Sequence, residues 1–328
     1  FRNRAAQTIG FSYDALGRLT TKNLPGTEPD VTLAYDNLGR LTSASQTGHM
    51  LSFTYDALGR KLTETGPQGT VTSAWDIAGR RTRLTYPGSG LYVDYDHLVT
   101  GETTKIRENG ATSGVGVLAT FAYDDRGRRV SLTRGNGTVT SYAWDAASRL
   151  DTLTQNLGGT ANDLTLGFDY NPAGQIVSRT TSNDAYSFAP SNESTAYTVN
   201  GLNQVAVIAG VGTAHDAKGN LTWDGATTFA YDSENKLVSA SGAKNATLSY
   251  DPLGRLYTIT SGGAATRFLY DGLDRIAEYD GGGNRLRSYV HGSGMDDPLV
   301  RYEGGGLSTR HFPHADERGS IVAMSDGG

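Results

Sequence analysis

The chain contains no cysteine, which excludes disulfides and cysteine-based zinc sites. That absence assigns no compartment and is compatible with export. No apolar run approaches the roughly 18–20 residues of a membrane-spanning helix. No signal peptide opens the chain, which starts at Phe1, enters a repeat at Phe11-Ser12-Tyr13-Asp14 and ends on Asp326-Gly327-Gly328. It therefore reads as an internal piece of something longer. Only 9 residues are proline, too few for a collagen-like chain or a proline-rich linker. Charged residues make up 19% and the net charge is −5, which argues against a sequence-independent nucleic-acid binder with a basic face. No helical periodicity of useful length occurs, so almost no α-helix is expected.

What the chain does contain is glycine, at 43 residues, and tyrosine, which outnumbers phenylalanine 18 to 9. Tyr, Thr and Val suit a half-buried pleated surface. A length of 328 residues would ordinarily suggest two or three domains, but internal repetition removes that arithmetic, because repeats grow by stacking. Tyr13-Asp14-Ala15-Leu16-Gly17-Arg18 returns as Tyr35-Asp36-Asn37-Leu38-Gly39-Arg40, as Tyr55-Asp56-Ala57-Leu58-Gly59-Arg60 and as Trp75-Asp76-Ile77-Ala78-Gly79-Arg80. Later copies begin at Tyr95, Tyr123, Trp144, Tyr231, Tyr250 and Tyr270, with weaker ones at Tyr170-Asn171 and His215-Asp216. The first steps are 22, 20, 20 and 20 residues, and insertions stretch the later ones.

One copy reads as a β-hairpin. Val31, Leu33 and Tyr35 alternate with Thr32 and Ala34, and the register recurs in Leu51, Phe53, Tyr55 and in Val71, Ser73, Trp75. Period two means a strand with one buried face. Asp then opens a type I turn, where its carboxylate accepts bonds from the backbone ahead of it. Gly three residues on tolerates positive φ and closes the hairpin with a bulge. The Leu after Arg starts the returning strand facing inward. A lone hairpin is marginal in water, so the copies are expected to build a continuous, curling sheet.

These motifs resemble the YD repeat of bacterial Rhs proteins, insecticidal toxin-complex shell subunits, wall-associated bacterial toxins and animal teneurins. Two further blocks carry the resemblance. One runs from Tyr197-Thr198-Val199-Asn200-Gly201 through His215-Asp216-Ala217-Lys218-Gly219-Asn220 to Tyr231-Asp232-Ser233-Glu234-Asn235. The other joins Tyr289-Val290-His291-Gly292 and Asp297-Pro298-Leu299 to His314-Ala315-Asp316-Glu317-Arg318-Gly319-Ser320, and is similar to the Rhs-associated core signature. The resemblance implies an all-β fold of tandem YD hairpins in a curled, spiralling sheet, part of a β-cage or solenoid shell. It divides the chain into an array over 1–288 and a continuous core-like end segment over 289–328. It implies a non-catalytic shell or scaffold of an Rhs-type toxin, secreted or at a bacterial cell surface. Its partners would be an enclosed or displayed C-terminal toxin and neighbouring shell segments. The family's shells are usually longer, so this chain corresponds to a stretch of wall. The alternatives are an extracellular module binding carbohydrate or a protein partner and, behind it, a self-processing aspartyl protease shell.

Several residues invite a chemical reading. Asp251-Pro252-Leu253-Gly254 mimics the family's self-cleavage motif, but Tyr250 and Arg255 flank it as in an ordinary repeat turn. His291, His311 and His314 lie near Asp296, Asp297, Asp316 and Glu317, a conceivable zinc or iron set. Against it, residues three apart on a strand point to opposite faces. The repeated Asp suggests calcium, yet calcium wants about six to eight converging oxygens. Here each Asp meets an Arg four residues on, which favours turn bonding and Asp–Arg pairing. The recurring aromatics Tyr35, Tyr55, Trp75, Tyr95, Tyr123 and Trp144 could stack on sugars, but their register with Leu and Val argues for inward packing. Gly281-Gly282-Gly283 and Gly304-Gly305-Gly306 read as hairpin loops, with no strand-then-helix setting for phosphate. No Ser-His-Asp spacing or nucleophile elbow stands out, and no catalytic residue, cofactor or metal is expected. Unpaired strand edges are expected to invite self-association. Segments 101–119 and 184–197 are expected to project as loops.

Overall fold

The computed structural model describes residues 1–88, 90–187, 192, 194–294 and 297–327. Strands make up 55% of it and helix 3%, arranged as large antiparallel sheets that are not closed. Helix among the described residues is confined to the single 3-10 turns Gly114–Gly116, Thr160–Asn162 and Asp184–Tyr186. The all-β architecture expected from the repeats is therefore the one observed.

The chain folds as two units. The first comprises Phe1–Thr70, Ser191–Leu269 and Glu278–Asn284. In its opening stretch, strands Gly10–Tyr13, Leu19–Asn23, Val31–Tyr35, Leu41–Gln46, His49–Tyr55 and Lys61–Gly66 pair antiparallel in chain order. The next stretch begins with a separate set of Tyr197–Val199, Val205–Ile208 and Val211–Gly212. A new sheet then starts at Ala214–His215 and runs through Thr227–Tyr231, Leu237–Gly242, Ala246–Tyr250 and Leu256–Ser261. The sheet is thus interrupted rather than continuous. The two stretches of this unit are tied by Lys22 to Glu234, Glu28 to Ser233, Gln46 to the Tyr250 carbonyl and Arg255 to Glu64.

The second unit comprises Val71–Pro190, Tyr270–Ala277 and Arg285–Gly328. Arg81–Thr85, Tyr92–His97, Thr103–Glu108, Val117–Tyr123, Arg129–Arg134, Val139–Trp144, Leu150–Asn156, Leu164–Tyr170 and Ile176–Thr181 follow one another antiparallel. Arg285–His291, Pro298–Glu303, Arg310–Ala315 and Ile321–Asp326 form its later run. Glu108 ties the two runs: it accepts from Tyr302 Oη at 2.6 Å and from Arg310 through Nε at 3.0 Å and Nη2 at 2.8 Å.

Period-two burial is visible strand by strand. Val31, Leu51, Phe53 and Val71 are buried, while Thr32, Ala34 and Thr54 are exposed. Each returning strand answers with its own inward residue, so Leu33 faces Ala44, Phe53 faces Glu64, Phe121 faces Leu132 and Tyr142 faces Leu153. That residue lies four after the turn cation. The Leu directly after Arg40, Leu41, is only half-buried. Leu153, Leu164, Leu166 and Phe168 make one buried apolar cluster, covered by Tyr142, Leu150 and Tyr170.

One of the two loop expectations is corrected in part. Segment 101–119 holds strand at both ends, Thr103–Glu108 and the start of Val117–Tyr123, with Ile106 and Leu118 fully buried, and only 109–116 connects them outside the sheet. Apolar residues at inward positions outweigh the irregular spacing. In segment 184–197, Asp184–Tyr186 is a 3-10 turn, and residues 188–191 and 193 lie outside the described residues.

Truncating a buried leucine removes transfer energy and leaves a cavity, so Leu166→Ala should destabilise the second unit by about 2–5 kcal/mol. Urea unfolding followed by hydrogen exchange of amides in Leu164–Tyr170 checks this; Leu58→Ala, at an exposed turn position, should change little.

Candidate functional site

The repeat turn is built the same way at each well-formed copy. At Asp36, the Gly39 N–H donates to the Asp36 carbonyl at 3.0 Å and the Asp36 N–H donates to the Arg40 carbonyl at 3.0 Å. The Asp36 carboxylate accepts from the backbone N–H of Leu38 and Arg40, each at 2.9 Å, and from Arg40 Nε at 2.6 Å. Gly39 has φ +83°, the left-handed geometry that a Cβ would strain. Asp14 with Gly17 and Arg18, Asp56 with Gly59 and Arg60, Asp76 with Gly79 and Arg80, and Asp251 with Gly254 and Arg255 repeat this pattern.

Several of these cations also reach forward into the next repeat. Arg18 Nη1 donates to the Asp36 carbonyl at 2.9 Å and lies 4.9 Å from the centre of the Tyr35 ring. Tyr35 Oη returns a bond to the Leu19 carbonyl at 2.9 Å. Arg40 stands likewise to Asp56 and Tyr55, whose hydroxyl bonds the Leu41 carbonyl at 2.8 Å. In the second unit Arg149 stacks on Tyr170 at 4.6 Å, and Tyr170 Oη bonds the Leu150 carbonyl at 2.7 Å. Trp144 Nε1 donates to the Arg129 carbonyl at 2.9 Å. These rings are half-buried with their polar tips engaged, while Tyr13 is 60% exposed.

A residue able to take positive φ decides where a turn forms: glycine in most copies, Ser148 after Asp145, Asn203 after Asn200 and Asn235 after Asp232. Tyr95-Asp96 does not open one, because Val99 occupies the glycine position; the turn slides to Leu98–Gly101 and Asp96 pairs with Arg107 at 2.7 Å. Asp271 likewise ends a strand before the two-residue turn Gly272-Leu273, and its carboxylate takes Arg81 at 2.5 Å. Conversely, Asp280 and Asp316, not read as repeat copies, make the full turn, with Gly283 and Gly319 donating back to them at 3.1 Å. Gly282 and Asn284 replace the familiar Leu-Gly-Arg letters around Asp280, which hid it. Asp251-Pro252-Leu253-Gly254 has repeat-turn geometry, and Arg255 additionally reaches Glu64 at 2.8 Å.

The late histidines are held by separate partners. His311 Nδ1 lies 3.0 Å from Asp326 and His291 Nε2 lies 3.0 Å from the Arg275 carbonyl. His314 is completely buried and belongs to a polar network. Asp296 lies outside the described residues, and among those described no group of three or more metal-ligating side chains converges.

That network was not legible in the sequence. Arg134 Nη1 donates to Thr140 Oγ1 at 2.8 Å, and Thr140 Oγ1 donates to Gln155 Oε1 at 2.6 Å. Gln155 Nε2 donates to the Ala315 carbonyl at 2.7 Å. His314 Nε2 lies 2.8 Å from Ser325 Oγ, which accepts from Asn136 Nδ2 at 2.8 Å. The Ser325 proton is thereby directed to Nε2, which assigns the His314 proton to Nδ1, 3.3 Å from Gln155 Oε1. Burial, then the nearby Arg134 charge, pushes His314 down to about 3. Burial also pushes Arg134 down to about 10, still charged at neutral pH.

The chain belongs to the Teneurin YD-shell family, whose model matches residues 120–326; the RHS repeat model matches 13–49, 35–71 and 55–90. The tRNA nuclease WapA of Bacillus subtilis strain 168 is 36% identical over 131 residues, 38% of this chain and 5% of the nuclease. The tRNA(Glu)-specific nuclease WapA of Bacillus subtilis subsp. natto strain BEST195 is 31% identical over 131 residues, again 5% of that protein. A solved structure of the Photorhabdus luminescens Tc holotoxin pore aligns over 98% of this chain and 22% of its own, with TM-score 0.53 and 14% identity, and shares the fold.

Two acid transitions follow. His314 stays neutral in the fold but takes a proton when unfolded, so stability is full above about pH 6.5 and is lost on acidification toward pH 3, by up to about 1.4 kcal/mol per pH unit. Thermal melts between pH 7.5 and 4.5 should show this slope, and His314→Gln should reduce it, leaving the part due to His49, whose pKa burial also lowers. The Arg40 backbone N–H, then its guanidinium, hold the Asp36 carboxyl below the usual carboxylate range despite desolvation, and Asp14, Asp76 and Asp145 are held likewise. Their stabilisation is present above about pH 4 and is lost as pH falls through the lowered values, a second phase that should persist in the His314 variant. Separately, Tyr170→Phe removes one hydrogen bond and should cost about 0.5–1.5 kcal/mol in urea unfolding.

Proposed function

We propose that this chain is a non-catalytic stretch of shell wall, whose job is to enclose or display an effector carried by the same toxin. The observation that carries this reading is that the repeated Asp, Arg and aromatic side chains are consumed by one another. At the well-formed copies the carboxylate is filled by its own turn and the guanidinium by its own Asp and a further partner, the next repeat for Arg18 and Arg40 and Glu64 for Arg255. A row of identical sites selected for chemistry would keep such groups open toward a substrate. The nuclease activity in the names of the matched relatives is not carried over, since the match spans 5% of those proteins. Family membership and the shared fold with a Tc holotoxin pore support a secreted or surface setting in bacteria. No helix among the described residues is long and apolar enough to cross a membrane.

Neighbouring shell segments are the natural partners of the open sheet. Ile176–Thr181 ends the strand order of its sheet, with Ile176 and Val177 exposed, and an unpaired edge of this kind templates further strands. Carbohydrate stacking is disfavoured, because the aromatic faces carry guanidinium groups and the hydroxyls bond backbone carbonyls.

Protease protection tests the shell reading. In the whole parent polypeptide, an effector joined to this wall should survive a protease dose that digests the same effector alone. Equal digestion would remove enclosure and leave display. Light scattering on the isolated chain tests the edge: mass should rise with concentration, and Val177→Lys should suppress the rise.

A further inference from the structure

Arg134 ends the strand Arg129–Arg134 and is only 5% exposed, so it is not a solvated surface charge. The single hydrogen bond of its guanidinium among the described residues goes from Nη1 to Thr140, whose hydroxyl is already committed to Gln155. Its Nε is buried with no acceptor, and Asp297 acts on it only through space, with no direct bond among the described residues. A guanidinium carries five N–H donors, and burying them unfilled is costly. The neutral His314 behind it supplies no countercharge.

Arg134 lines a cavity of about 500 Å³ shared with Arg129, Tyr142, Trp144, Leu153 and Asp297, all in the second unit. That size suits a small organic molecule. Arg129 lies 4.7 Å over the Phe121 ring and makes no ion pair among the described residues. Asp297 is the carboxylate whose charge favours charged Arg134. At the rim, Glu317 is held by Arg179 at 3.0 Å and Arg318 at 3.4 Å, and Asp316 lies 3.8 Å from Arg179. Among the described residues, Arg129 and Arg134 face Asp297, while Asp316, Glu317 and Arg318 also line the cavity.

We propose that this cavity is a binding site for an organic monocarboxylate with an apolar body, its carboxylate on Arg134 and its body against Tyr142, Trp144 and Leu153. The planar fork of a guanidinium matches a carboxylate in two-point contact. The second charge of a phosphate dianion would be set against the carboxylates of Asp297, Asp316 and Glu317 in the same lining. The carboxylate could belong to a free small acid or to an acidic side chain of a peptide segment. The site does not rest on the shell reading, and either can fail alone.

The test is titration of the intact chain with 3-phenylpropanoate, followed by calorimetry and Trp fluorescence, with 3-phenylpropanamide, inorganic phosphate and a blocked Leu-Glu-Leu peptide as parallel probes. Saturable binding of the acid with a Kd on the order of 1 mM or tighter is expected, with the amide at least about tenfold weaker. Saturation by the blocked peptide alone would support the site and assign it to a protein segment; saturation by the free acid alone would support it and assign it to a small molecule. Arg134→Met, which fills the space without a buried charge, should abolish carboxylate binding while the far-ultraviolet spectrum is kept. Equal binding of acid and amide, preference for phosphate, or no saturation by either carboxylate would overturn the proposal without any variant having to fold.

Discussion

The structure depends on one charged side chain doing two things at once. The arginine after the turn glycine closes its own turn by binding the Asp carboxylate and, at Arg18 and Arg40, then passes on to the next repeat. Arg18 and Arg40 each hold an Asp at 2.6 Å and donate to the following Asp carbonyl at 2.9 and 2.8 Å. The next aromatic ring lies beneath the guanidinium and bonds back to the strand that left the turn. A single hairpin has little core of its own, so this forward link lets each copy lend order to its neighbour.

Exposed ion pairs alone would be a weak basis for such an array. Here the same guanidinium combines ion pair, backbone hydrogen bond and ring contact, while the strand interiors add apolar burial at Val31, Phe53, Phe121 and Leu153. Where burial is deepest in the second unit, the interior also admits polar groups. Gln155, His314 and Thr140 are almost wholly buried, and their donors and acceptors are matched pairwise down to Arg134, where matching stops. A polar chain satisfied at every link but one marks that link as the place where another molecule fits.

Local features were readable and distant ones were not. Asp-x-x-Gly specifies its turn through contacts within four residues, so Tyr13, Tyr35, Tyr55 and Trp75 could be placed from letters alone. The same rule explains the failures: Val99 could not take the glycine conformation, and the turn moved to Gly101. Ile106 and Leu118 belonged to strands in a segment whose spacing suggested a loop. The network around His314 had no sequence signature, because Gln155 lies 159 residues away and the two meet only through folding. The histidines attracted a metal reading on proximity in sequence, while their partners are set by position across strands.

The central claim is energetic coupling between successive repeats through the forward-reaching arginine. A double-mutant cycle on Arg40→Leu and Tyr55→Leu, read by urea unfolding of the intact chain, addresses it most directly. The account expects a coupling of about 0.5–1 kcal/mol between the two sites. Strictly additive losses would contradict it, and would leave the turns as independent closures joined only by the sheet.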